Sequence, residues 1–210
     1  MLTHVLLADD HRIIRDGMKV FLEREGYKVN ADAQNGQEAV RLALRLKPEV
    51  VVLDITMPVL NGLEAAREIL RNAPSTKVIL LTMHDESSYL LDALRIGVKG
   101  FVTKTHAADD LVHAIREALR GKTYLSPELS QTVITAIQLK ADVARDPLTP
   151  RERQVLQLVA EGKTTRQAAE LLNISVKTAE THRNRIMEKL NVHETAGLVR
   201  YAIRRGLIQA

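Results

Sequence analysis

There is no cysteine and no tryptophan in this chain, and aromatic residues make up only 3% of it. Without cysteine, neither a disulfide framework nor a thiolate zinc site is possible, and the absence agrees with a cytosolic setting. No run approaches the roughly 18 apolar residues that a membrane span needs. The opening MLTHVLLADDHR has too short an apolar stretch, and no basic lead, for a secretion signal. Histidines are present, but none stand at metal-ligand spacing. Internal repeats and low-complexity tracts are also lacking. The expectation is a soluble, cytoplasmic, globular protein with no membrane partner.

The charge is unevenly placed. Residues 1–122 carry 17 Lys/Arg and 17 Asp/Glu, whereas residues 145–210 carry 12 and 7, a net of +5. A basic segment beside a neutral one suggests a polyanion as partner of the C-terminal part, although basic surfaces also serve solubility alone.

Hydrophobic periodicity divides the chain the same way. HVLLAD at 4–9, residues 28–33, EVVVLD at 49–54, VILLT at 78–82 and GFVT at 100–103 read as short strands. Between and after them, residues 12–25, 36–46, 62–71, 86–95 and 107–120 have helical spacing, and Gly26 stops the first helix. Five βα units in residues 1–120 predict an α/β domain with a five-stranded, doubly wound, flavodoxin-like parallel sheet. Residues 121–147 break the alternation and read as a linker, partly helical: Ser126 and Pro127 suit an N-cap and first helical position, and VITAIQLKADVA follows. Residues 148–210 then read as an all-α domain of four helices.

In open α/β sheets the chemistry gathers at the carboxyl ends of the strands. Asp9 and Asp10 end the first strand and Asp54 the third. Neighbouring carboxylates repel and raise one another's pKa unless a cation joins them, and hard oxygen donors suit Mg²⁺. A carboxylate with one free oxygen is then a nucleophile for phosphorus. Thr82 ends the fourth strand with a hydroxyl, and Lys104 follows the fifth with an ammonium that can neutralise a transferred phosphoryl group. Each residue alone has a plainer reading: a helix N-cap for an Asp, a β-former for the Thr, a solvated surface charge for the Lys. Together, five suitable residues end four strands on one side of a sheet.

These residues carry a resemblance. Asp9 and Asp10, the run D-I-T-M-P-V-L-N-G at 54–62, Thr82 and G-F-V-T-K at 100–104 resemble the receiver domain of two-component response regulators over residues 3–120. The resemblance implies that Asp54 accepts phosphate from a sensor histidine kinase. It implies a Mg²⁺ ion held by Asp10 directly, by Asp9 mainly through water, by Asp54 and by the backbone carbonyl of Thr56. It makes Lys104 the family's lysine and Thr82 and Phe101 its switch pair, Phe101 rotating inward as Thr82 moves toward the phosphoryl group. An aromatic on a strand is otherwise ordinary core. One departure is Thr105, where many receivers have proline, so the cis-proline loop geometry does not carry over.

In the C-terminal segment Thr149, Pro150 and Glu152 form an N-cap, first position and capping box, with Val155, Leu156, Leu158 and Val159 as the apolar face. Gly162 ends that helix. TTRQAAELL gives a short helix, Asn173 and Ile174 a turn, and Ser175 the cap of VKTAETHRNRIMEKL, which buries Ala179, Ile186, Met187 and Leu190. A short helix, a tight turn and a longer helix with a basic face is the helix-turn-helix layout, though a three-helix core with a solvated basic face has the same pattern. L-T-x-R-E at 148–152 and S-x-K-T-x-x-x-H at 175–182 resemble the LuxR-type domain of the NarL/FixJ subfamily over residues 146–208. That implies base contacts from Glu180, Thr181 and Asn184, with Lys177, Thr178, His182, Arg183 and Arg185 on phosphates or in helix packing. Some relatives have Lys where Glu180 stands; Glu accepts from a cytosine amino group. A fourth helix at 194–207 is the family's dimer contact, so a homodimer on double-stranded DNA implies a two-fold operator with half-sites about one turn apart.

The reading is a phosphorylation-controlled, DNA-binding transcriptional regulator that is not an enzyme. Three others compete. A phosphohydrolase with Asp54 as nucleophile would want a second acid two residues on, where Thr56 stands. A small-ligand sensor would want an apolar pocket instead of an acidic crevice. A regulator with an inert receiver would not need the full acidic set.

Overall fold

Val5–Ala8, Val50–Leu53 and Val78–Leu81 are completely buried. Strands this continuously apolar need cover on both faces, which a parallel sheet wound with helices provides. The computed structural model describes residues 2–82, 87–130 and 146–208, in two units, one mostly before residue 142 and one mostly after it. In chain order the first unit runs β1 (His4–Ala8), α1 (Arg12–Arg24), β2 (Lys28–Ala33), α2 (Gly36–Leu46), β3 (Val50–Asp54), α3 (Gly62–Asn72), β4 (Lys77–Thr82), α4 (Ser87–Ile96), β5 (Gly100–Thr103), a 3₁₀ turn (Lys104–His106), α5 (Ala107–Leu119) and β6 (Tyr124–Leu125).

The sheet is parallel throughout, in the order β2-β1-β3-β4-β5-β6. Val5, Leu7, Val50, Val52, Ile79, Leu81 and Val102 cluster with Leu22 of α1 and with Leu111, Ala114 and Ile115 of α5. The alternate residues of the same strands pack against α2 and α3, with α4 beside α3. From β1 the chain moves outward to β2, then returns to place β3 on the other side of β1. This reversal opens a crevice at the carboxyl ends of β1 and β3.

The five expected strands are present, and β6 is a sixth. It lies inside the segment read as linker and pairs Gly100 with Tyr124 and Phe101 with Leu125. A clasp of side chains holds it. The Tyr124 hydroxyl donates to Asp110 Oδ1 at 2.7 Å, and the buried Ser126 hydroxyl donates to the other oxygen of Asp110. Ser126 also accepts from the backbone N–H of Thr103 at 3.3 Å. The expected helix start after Ser126 is seen at residues 127–130. The rest of the expected linker helix, from residue 131 to 145, lies outside the described residues, as does the first residue of the helix expected at 86–95.

The second unit is helical: α6 (Pro150–Ala160), α7 (Thr165–Leu171), α8 (Val176–Leu190) and α9 (Thr195–Arg204). Thr149, Thr164 and Ser175 cap the first three with side-chain oxygens, Thr149 and Thr164 in capping boxes. Gly162 and Asn173, both at positive φ, end α6 and turn the chain between α7 and α8. Leu148, Val155, Leu156, Val159, Ile186, Leu198, Ala202 and Leu207 form the core. Among the described residues no helix is long and apolar enough to cross a membrane.

Glu152 ties this unit together. It is buried, accepts from the Thr149 N–H at 2.7 Å and meets the Lys189 ammonium of α8 at 2.7 Å. Burial alone would raise its pKa, but Lys189 and the Thr149 backbone and hydroxyl hold the carboxyl below the ordinary range. A folded value below the unfolded one contributes stability above the ordinary carboxylate pKa, and that contribution is lost as the pH falls through the lowered value. Glu152→Ala is therefore expected to lower the unfolding free energy of the second unit by about 2 kcal/mol at neutral pH, with the deficit shrinking in acid. Amide exchange of residues 146–208 in the full chain measures this; a variant as protected as the wild type at pH 7 would contradict it.

Candidate functional site

The β1/β3 crevice brings together the acidic residues the sequence singles out. Asp9 follows β1, and Asp54 closes β3, whose register sets Leu53 beside Ala8. Both carboxylates are buried, Asp9 at 0% and Asp54 at 2% exposure. Lys104, just past β5, reaches back with its ammonium 2.8 Å from Asp9 Oδ2 and 2.9 Å from Asp54 Oδ2. Asp10 is more open and meets His11 Nδ1 at 2.8 Å. The second oxygen of Asp9 accepts from the His11 backbone N–H at 2.8 Å.

One cation is shared between two buried carboxylates with a third nearby. Burial pushes the Asp54 carboxyl up; the charge and hydrogen bond of Lys104 pull it down; Asp9 and Asp10 push it up again. The outcome is a pKa of about 6. For Lys104, burial disfavours the ammonium, but Asp54 and Asp9 outweigh it and hold its pKa above the ordinary lysine value. At neutral pH the site is a charged lysine among three anions, short of positive charge.

That shortage bears on a metal. Asp9, Asp10, His11 and Asp54 offer donor atoms that all lie within 4.8 Å of one another. The Oδ2 atoms of Asp9 and Asp54 are fully buried without a well-aligned hydrogen bond. Anionic oxygens in this number, with a net charge of −2 once Lys104 is counted, fit a hard divalent cation such as Mg²⁺.

The loop from Ile55 to Asn61 follows Asp54 and leads into α3. Ile55 N–H donates to Leu81 of β4 and Gly62 N–H to Ile55, at 2.9 and 2.8 Å. Asn61 caps α3 by accepting from the Glu64 N–H at 2.9 Å. A Cβ on Gly62 would fall 2.1 Å from the Asp54 carbonyl oxygen, so only glycine fits. Thr56 is half-buried in this loop. Thr82 ends β4 next to Leu81, the register partner of Asp54, and is half-buried. Phe101, on β5 beside β4, is only 2% exposed.

In the second unit, α8 exposes Lys177, Thr178, Glu180, Thr181, Asn184 and Arg185, and half-buries His182 and Arg183. Thr178 N–H donates to the capping Ser175 hydroxyl, and the Thr181 hydroxyl donates back to Lys177 O at 2.9 Å. Arg183 donates to the hydroxyls of Thr165 and Thr195, at 3.4 and 2.9 Å, bridging the starts of α7 and α9. His182 has a buried Nδ1 without a hydrogen-bond partner. Burial and the charges of Arg151 and Arg185 keep its pKa below the ordinary histidine value, although Glu152 pulls the other way.

Arg15 and His11 carry no motif in the sequence, and Asn61 and Gly62 stand in the 54–62 run with no role of their own assigned there. The Asn-Gly pair before an amphipathic helix was a legible cap signal. A lone Arg on a surface helix gave none.

Comparison with known proteins covers both units. The family described as response regulator receiver domain matches residues 5–116, and bacterial regulatory proteins of the luxR family match residues 146–202. The chain is 35% identical to the transcriptional regulatory protein MctR of Rhizobium johnstonii, over 97% of this chain and 94% of that one. It is 34% identical to the oxygen regulatory protein NreC of Staphylococcus carnosus, over 97% and 98%. Among solved structures it resembles RcsB of Salmonella enterica serovar Typhimurium bound to a promoter in the presence of the phosphomimetic BeF₃⁻, with a TM-score of 0.65 and 28% identity over 96% of this chain and 98% of that one.

The raised Asp54 pKa makes a stability prediction. Between the ordinary value of 3.8 and about 6 the folded state holds a proton that the unfolded state has released, so stability falls as the pH rises through this window. Asp54→Asn removes the cost, and its receiver is expected to be more stable than wild type by up to about 3 kcal/mol at pH 8 without divalent ions, the advantage fading toward pH 4. Urea unfolding in EDTA tests it. A variant no more stable than wild type at pH 8, or an advantage independent of pH, would contradict the electrostatic account.

Proposed function

The chain belongs to the response regulators that join a receiver domain to a LuxR-type DNA-binding domain, and from that premise we propose that phosphorylation of Asp54 controls its binding to double-stranded DNA. The observation that carries this is the shared ammonium: Lys104 within 2.9 Å of the buried carboxylates of both Asp9 and Asp54. A structural salt bridge needs one acid. Two acids on one lysine, with Asp10 beside them, make a site set to gain a cation and an electrophile.

The phosphodonor is the phosphohistidine of a sensor kinase or a small acyl phosphate. An Asp54 oxygen attacks phosphorus; the new P–O bond forms as the bond to the imidazole nitrogen or acyl oxygen breaks. At neutral pH a carboxyl with a pKa of about 6 is mostly ionised, so Asp54 needs no general base. Lys104 then faces an added phosphoryl charge and stabilises it, and Thr82 is the hydroxyl one strand over that reaches for it. Mg²⁺ held by Asp10, Asp54, the Thr56 carbonyl and, through water, Asp9 would neutralise charge on the transferring group. The switch pair is Thr82 and Phe101 at the β4–β5 edge: Thr82 moves toward the phosphoryl group and the Phe101 ring, packed inside the fold, repositions with it.

The output is α8 in the major groove. Glu180, Thr181 and Asn184 are assigned to base edges, and Lys177, Thr178 and Arg185 to phosphates, while His182 and Arg183 support the helix. The active form is a homodimer on a two-fold operator, working in the cytoplasm. A phosphohydrolase reading fails for want of a second acid at Thr56.

The test is DNA binding by the full chain at one fixed salt concentration, since phosphate contacts make affinity steeply salt-dependent. The probe is a duplex the protein itself selects from a random pool. With acetyl phosphate and Mg²⁺, the wild type is expected to bind about tenfold tighter or better, and Asp54→Asn not to respond. Equal binding by both proteins, with or without the donor, would put the inert-receiver reading in its place.

A further inference from the structure

We infer that Arg15 is a positioning residue for the divalent-cation site: it holds the Asp9–Asp10 peptide so that Asp10 presents its carboxylate to the metal. The inference rests on the metal reading above and assigns a part of it that the acidic residues do not supply.

Arg15 lies on α1, where Arg12, Asp16, Glu23 and Arg24 are exposed and Lys19 is half-buried, yet it is 5% exposed. Its Nη1–H donates to the backbone carbonyl of Asp9 at 2.7 Å, and its Nε–H to Asp32 Oδ2 of β2 at 3.0 Å. The Asp9 carbonyl is one half of a planar unit whose other half is the Asp10 nitrogen. A fixed carbonyl oxygen therefore fixes where Asp10 begins. Two further bonds complete the clamp. Asp9 N–H donates to Ala33 O at 3.2 Å, and His11 N–H donates to Asp9 Oδ1 at 2.8 Å. Asp9 is thus tied at its nitrogen, its carbonyl and both carboxylate oxygens, the last by Lys104. Asp10, between the tied residues, keeps an accessible side chain.

Charge separates two ways Arg15 could act. Asp32 offsets its charge locally, so Arg15 adds little to the charge balance between the three site carboxylates and Lys104. Arg15 acts through the geometry of its two hydrogen bonds and not as an added cation. A lysine there would keep the charge but could not serve both acceptors with the planar fork. Groups that orient ligands without touching the metal commonly change metal affinity by about tenfold to a hundredfold when removed.

The experiment is an NMR titration of the unphosphorylated full chain with MgCl₂, following amides of residues 9–11 and 54–56, for wild type, Arg15→Lys, Arg15→Gln and Asp32→Asn. Acetyl phosphate labelling against Mg²⁺ concentration and melting in EDTA accompany it. Both Arg15 variants are expected to bind Mg²⁺ at least about tenfold more weakly, with labelling recovering at saturating Mg²⁺, and Asp32→Asn to fall between them and wild type. If Arg15→Gln does not fold, Arg15→Lys and Asp32→Asn carry the comparison. Wild-type Mg²⁺ affinity in Arg15→Lys would overturn the inference while leaving the metal site standing. A wild type whose amides do not respond to Mg²⁺ would overturn the metal reading and this inference with it.

Discussion

A single buried ammonium organises the first unit. Lys104 can stand between Asp9 and Asp54 only because β1 and β3 are neighbours and β5 ends on the same side of the sheet. An isolated buried charge would be too costly to keep; each partner makes the others tolerable, and none is fully satisfied. The sheet, the close approach of Gly62 to the Asp54 backbone, and the tied segment at Asp9 all serve to hold three anions around one cation. The proposed phosphoryl chemistry uses that residual shortage of positive charge.

The second unit solves a different problem. A bundle of four short helices has little core, so capping does much of the holding: Thr149, Thr164 and Ser175 satisfy helix starts, and Glu152 with Lys189 links α6 to α8. Arg183, bonded to Thr165 and Thr195, fixes α8 against its neighbours. Lys177, Glu180, Asn184 and Arg185 of that helix can then be polar and stay exposed. This division between supporting and presented residues is what a recognition helix requires.

How far the sequence carried the account depended on the range of the interaction. Asp9, Asp54, Thr82 and Lys104 were legible because each terminates an apolar run, and parallel strands bring such ends together. The cap at Thr149 was legible because its partner Glu152 is three residues away. Arg15 was hidden, since a helix arginine reads as solvated and its partner Asp32 lies on another strand. Lys189 was hidden from Glu152 by 37 residues of chain. The strand β6 was missed because two residues among Ser, Pro and Gly give no period, and its clasp depends on Asp110 across the fold. Phe101 was legible on its strand, but the depth of its burial is a packing outcome with no local signature.

The central claim is that Asp54 is the phosphoacceptor, and its most direct test is to locate the phosphoryl group. Wild-type protein treated with acetyl phosphate and Mg²⁺, digested and analysed by mass spectrometry, is expected to carry a hydroxylamine-sensitive acyl phosphate on the peptide containing Asp54, dependent on Mg²⁺. Acid-stable label, or label on any peptide lacking Asp54, would contradict the account.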